Sequence, residues 1–172
     1  MNKTVNNEFI ISLIILILFV GAVILYAKEE GIVGRTEKNR KGCTCHGETP
    51  SSNLIVTISG PDTIQSGEAG KFWVSVSESS MEAAGINISA SEGELTPASK
   101  DLKKIKGELT HSSPKKLSSG KTTFEFLYTS LQSNSEQIIY ASVNTVDLNG
   151  KKTGDIWNHA PAKKVFIIDS KK

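Results

Sequence analysis

The sequence predicts an all-β protein, an antiparallel β-sandwich of about seven short strands behind one transmembrane helix and a tether. Three observations carry this: apolar residues alternating at period two after residue 53, turn residues between those runs, and one charge-free apolar run near the start.

The apolar run covers residues 9–27, between a tail at 1–8 and a charged stretch at 28–52. As a helix it extends about 28 Å, close to the hydrocarbon thickness of a bilayer. Secretory signals usually carry a shorter apolar stretch of roughly 7–15 residues. Cleavage after Ala27 is the alternative, although Leu25 stands where a small residue is preferred. An uncleaved single-pass anchor in the cell membrane is therefore expected. Its orientation is contested by its flanks. Only Lys3 lies before the run, whereas Lys28, Arg35, Lys38, Arg40 and Lys41 lie after it. That imbalance favours the cytoplasm for the C-terminal side of the run. A short tail and a single apolar run form the layout of an export signal, and the expectation is a domain outside the cytoplasm.

Residues 28–52 are charged and lack sustained apolar periodicity, so they read as a tether. The sandwich is expected over 53–172. Leu54, Val56 and Ile58 share one face of the first run; Phe72, Val74 and Val76 do so in the second. Ile86, Ile88 and Ala90 come next, then Phe124, Phe126 and Tyr128, then the runs QIIYASVNTV and KKVFIID. Gly, Pro, Ser and Asn separate them, the spacing of an antiparallel sandwich. Asn87-Ile88-Ser89 matches a glycosylation sequon but falls inside a strand, where the residue is structural.

Composition excludes several functions. A net charge of +2, with lysines scattered in pairs, gives no nucleic-acid footprint. Two cysteines are too few for a disulfide-stapled scaffold. No nucleophile-elbow pattern appears, so no hydrolase, and no enzyme, is expected.

The chemistry is concentrated in KGCTCHGE, residues 41–48, which holds both cysteines, Cys43 and Cys45, and His46. A disulfide between residues two apart is strained and is a poor staple. Zinc or copper suits thiolate and imidazole ligands, with His111 or His159 as a fourth, but no second cysteine pair exists. Haem attachment needs a cysteine followed at once by the iron-binding histidine, and Cys45-His46 meets that requirement. The first cysteine stands one residue closer than usual. Either both thiols attach, or Cys45 alone forms a thioether and Cys43 stays free. An inert segment without cofactor is the remaining alternative. Axial ligands to a haem c iron would be His46 and His111, with His159 and Met81 as alternatives.

The segments AAGINISASEGEL, GELTHSSPKK, TTFEFLYTS and GDIWN resemble the reeler (reelin-like) domain. The likeness is greatest to its bacterial surface-protein version, in which the domain comes after a cytochrome-c-like Cys-His-Gly motif. The resemblance spans roughly residues 43–169. It implies an immunoglobulin-like sandwich, and the family pattern falls on Cys45, His46, Gly47, Gly85, Thr110, His111, Ser112, Gly154, Asp155 and Trp157. It further implies an exported protein with haem at Cys45-His46. The expected function is that of a membrane-anchored extracytoplasmic c-type cytochrome-like electron carrier serving a redox partner protein. The alternative is a non-catalytic surface or adhesion module with a structural or metal-binding Cys-His motif.

Overall fold

A computed structural model of the chain describes residues 31–130 and 134–169, together with Ile11. The chain divides into two compact units, residues 1–30 and 31–172. The expected tail and anchor lie outside the described residues, apart from Ile11. Among the described residues no helix is long and apolar enough to cross a membrane.

The second unit is all-β. In chain order its strands are β1 (Ile55–Ser59), β2 (Thr63–Gln65), β3 (Ala69–Ser77) and β4 (Ala83–Ala90). Next come β5 (Glu94–Pro97), β6 (Leu102–Ile105), β7 (Glu108–His111) and β8 (Lys115–Lys116). The last four are β9 (Lys121–Thr129), β10 (Ser135–Val146), β11 (Ile156–His159) and β12 (Lys163–Ile168). One sheet has the order β1-β3-β9-β5 and the other β2-β12-β10-β4-β7-β6. The pairs are antiparallel except β2 with β12. Among the described residues, twelve strands replace the expected seven. The additional ones, such as β2, β5, β6 and β8, have two to four residues, too few to display a period-two pattern.

The alternating runs do face the core. Phe72, Val74, Val76, Phe124, Phe126 and Tyr128 from the smaller sheet meet Ile86, Ile88, Ile139, Val143 and Val165 from the larger. Phe72 stacks on Phe126 with ring centroids 5.8 Å apart and takes Tyr128 edge-on at 6.2 Å, arrangements that add to area burial.

Two strands of the larger sheet have divided edges. β10 pairs with β12 through Ser135–Ile139 and with β11 through Ser142–Thr145, both on the edge opposite β4. β4 pairs with β7 at Asn87 and Ile88 and with β8 at Ala83 and Ala84. Between those last two pairings the ladder is interrupted at Ile86. His111, the last residue of β7, closes the gap with its side chain: Nδ1 accepts the Ile86 N–H at 2.9 Å. Gly85 makes room, since a Cβ there would lie 2.6 Å from the ring.

This role requires Nδ1 unprotonated. Burial lowers the His111 pKa below the ordinary histidine value and Lys103 adds to that, against a weaker opposing contact with the Ile86 carbonyl. The unfolded chain titrates near roughly 6.5, so below that pH it binds more protons than the native state, and stability falls as pH drops through this window. His111→Ala should leave the Ile86 N–H without its partner and cost about 1–3 kcal/mol. His111→Gln, which keeps an acceptor, should retain more stability and flatten the acid limb. Chemical denaturation between neutral and mildly acidic pH measures both.

Candidate functional site

Residues 31–51, within the segment read from the sequence as a tether, form a strap across the outer face of the larger sheet. No apolar stripe marks the strap because main-chain groups and small side chains hold it. Gly31 packs on Thr110, where a Cβ would lie 2.4 Å from Oγ1. The Gly34 N–H donates to Glu108 Oε2 and the Arg35 N–H to Asn87 Oδ1, each at 2.7 Å. Thr36, fully buried, pairs its hydroxyl with that of Ser89 at 2.5 Å. Asn87 is itself buried and also donates to Glu108 Oε2 at 2.8 Å, so the sequon residue serves the strap. A 3-10 turn, Glu37–Asn39, then leads towards β11.

There the strap seats on Trp157, which is 4% exposed. Gly42 lies directly on the indole, and a Cβ at that residue would come within 2.1 Å of Cη2 and Cζ3. The indole Nε1 donates to the Gly47 carbonyl, and the Trp157 carbonyl accepts the Ser51 N–H, both at 2.7 Å. Gly42 and Gly47 thus bracket the Cys-His motif and fix both its ends to one residue.

Between them the motif is a reverse turn closed by the His46 N–H on the Cys43 carbonyl at 2.9 Å. Both cysteines are free thiols. They differ in environment: Cys43 is half-buried and Cys45 exposed. Burial pushes the Cys43 thiol up to about 11, with Arg35 opposing and Cys45 reinforcing the shift. Cys43 is therefore a protonated, weakly nucleophilic thiol at neutral pH.

His46 is held from below. Its Nδ1 donates to Asp155 Oδ2 at 2.6 Å, and the carboxylate is 2% exposed while the imidazole is 30% exposed. Nε2 has no hydrogen-bond partner among the described residues. The second carboxylate oxygen, Oδ1, is buried and has no partner among them either. Asp155, Trp157 and His159 alternate along one stretch of chain, which by the strand period sets them on one face.

The other expected ligands are arranged differently. His159 shares a hydrogen bond with the Ser142 hydroxyl through Nδ1 at 2.6 Å and meets the Trp157 indole edge-on at 5.1 Å. Burial lowers its pKa, partly offset by Glu37. His111 lies over Gly85 on β4; Gly85 pairs with Asn144 of β10, which pairs with Trp157 of β11. Two strand spacings, about 10 Å, thus separate His111 from the Trp157 seat. Met81 is in the β3–β4 connection. Among the described residues no group of three His, Cys, Asp or Glu side chains is arranged to hold a metal ion. Cys43, Cys45 and His46 are adjacent in sequence without converging on one point.

Fold and site together define a β-sandwich that carries a Cys-His turn on a strap fixed to its outer face. No family model matches the chain, and no curated protein matches it. Among solved structures, the CARDB domain of the PF1109 protein from Pyrococcus furiosus, in complex with di-metal ions, is similar at 18% identity. The similarity covers 68% of this chain and 94% of that one, with a TM-score of 0.42.

Proposed function

We propose that this chain is a membrane-anchored, extracytoplasmic c-type cytochrome-like electron carrier, with a reeler-like sandwich as the support for its haem. The observation that carries the reading is His46: Nδ1 committed to a buried carboxylate, Nε2 without a partner among the described residues, and the exposed Cys45 thiol next to it. A carboxylate behind a histidine fixes the tautomer and strengthens the outer nitrogen as a donor. The orphaned Asp155 Oδ1 supports the same reading, because a buried carboxylate calls for a nearby positive charge. A cation bound at His46 Nε2 supplies one.

The donor set fits haem c through one thioether and one axial nitrogen. Cys45 would hold the macrocycle and His46 the iron. When bound, the group supplies a one-electron couple at iron. The protein's part is to present Nε2, to keep the imidazole oriented through Asp155, and to hold the turn rigid between Gly42 and Gly47. Cys43, half-buried and protonated, remains a thiol. His111 and His159 both have Nδ1 committed to the sheet and would offer a metal only Nε2. His46 would accordingly be the residue to hold the iron, with His111, then His159 and Met81, as the further candidates.

The test is expression of the full chain with a cytochrome c maturation system. A covalent haem band on a denaturing gel and a Soret absorbance are expected. Export without covalent haem would overturn the cytochrome reading and leave the surface-binding module.

A further inference from the structure

We propose that the rim of the sandwich where the strap begins is a docking surface for the anionic headgroups of the bilayer that anchors the chain. The inference rests on the anchor proposed for residues 9–27. From Ala27, the end of the apolar run, to Gly31, already seated on β7, there are four residue steps, through Lys28, Glu29 and Glu30. Fully extended they span at most about 14 Å. Covalent length alone thus confines the start of the strap to the neighbourhood of the membrane surface.

The residues found there suit that surface. Ile32 is 51% exposed, an apolar side chain adjoining the strap's first contact. Lys41, Lys106 and Asn39 line a shallow cleft of about 460 Å³ with Val33, Gly34 and Glu108. Lys38 and Lys106 also border a second cleft of about 230 Å³, with Glu92 and Glu108 beside them and Lys38 Nζ donating to the Ala90 carbonyl. The acid in the first cleft is already engaged: Glu108 accepts from Gly34, Asn87 and Asn39. The chain segments that meet at this rim are basic. Residues 100–116 carry six lysines against Asp101 and Glu108, a formal excess of four, of which Lys104 is paired with Glu94 and Lys115 with Asp101. In residues 31–41, Arg35, Lys38, Arg40 and Lys41 against Glu37 leave three more. The whole chain nets only +2, so these two segments are more basic than the rest of the sequence. Basic residues beside a membrane span are attracted to anionic lipid within a Debye length.

The experiment uses the full chain reconstituted into vesicles of phosphatidylglycerol mixed with phosphatidylcholine, and into phosphatidylcholine alone. Lysine acetylation is read residue by residue by mass spectrometry. Labelling of Lys41 and Lys106 should fall roughly fivefold in the anionic vesicles. Raised salt should restore it, and Lys121 on the smaller sheet should label equally in both. Lys106→Glu should remove the protection of Lys41. Equal labelling in both vesicles, in a chain that resists alkaline extraction, would overturn the docking surface alone. Release by alkaline extraction would overturn the anchor and the docking surface with it.

Discussion

The full chain carrying Cys45→Ser should leave a haem-loading host with no covalent haem, while Cys43→Ser should load nearly as well as the parent. The two substitutions are chemically identical and two residues apart, so the contrast isolates environment. Cys45 is exposed and immediately precedes His46 in the chain. Cys43 is half-buried, and burial holds its thiol near 11, far from the thiolate that reacts. Neither change disturbs a hydrogen bond of the fold, so loss of loading in the Cys45 variant reads as lost attachment. Equal loss in both variants would mean that the turn opens and both thiols attach. Haem stain against total protein measures the result.

The second large effect is expected at Trp157. Trp157→Ala should destabilise the domain by about 3–5 kcal/mol, the range for deleting a large buried side chain. The indole is the seat for Gly42 and donates to Gly47, so both flanks of the motif lose their hold. The strap should then detach at that end while the sheets persist. Thiol alkylation reports this separately from stability. In the parent, iodoacetamide at mildly alkaline pH should modify Cys45 quickly and Cys43 slowly. In the variant both should react at comparable rates. A stable variant that still protects Cys43 would show that the contacts at Asn87, Ser89 and Glu108 hold the strap unaided.

Much of this architecture was legible in the sequence, and the losses have physical reasons. Strands β1, β3, β4, β9, β10 and β12 announce themselves by alternation because each buries one face against the other sheet. The short strands bury too few residues to repeat a pattern. The strap escapes notice because its adhesion is polar and local, as in Thr36 on Ser89, or rests on a missing side chain, as in Gly42 on Trp157. Hydrophobic periodicity is blind to both. His46 and Cys45 stand out as a motif, whereas Asp155 enters only through the reeler resemblance and its pairing with His46 does not show, the two being 109 residues apart in the chain. The signal was the alternation Asp-x-Trp-x-His at 155, 157 and 159, three polar or aromatic groups set on one face of a short strand. His111 stands out as a residue, but its service to the Ile86 N–H depends on where β7 ends, which no local pattern encodes.

The separation between the strap and its seat also sets an order of events. His46 and Gly47 are made early, and their partners Asp155 and Trp157 more than a hundred residues later. Contacts of such long range close late, because the intervening chain must first be organised. The Cys-His segment therefore leaves the ribosome before its seat on Trp157 exists. Haem attachment as proposed would meet the motif then without its seat. Once β11 joins β10, the indole closes over Gly42 and fixes both ends of the turn.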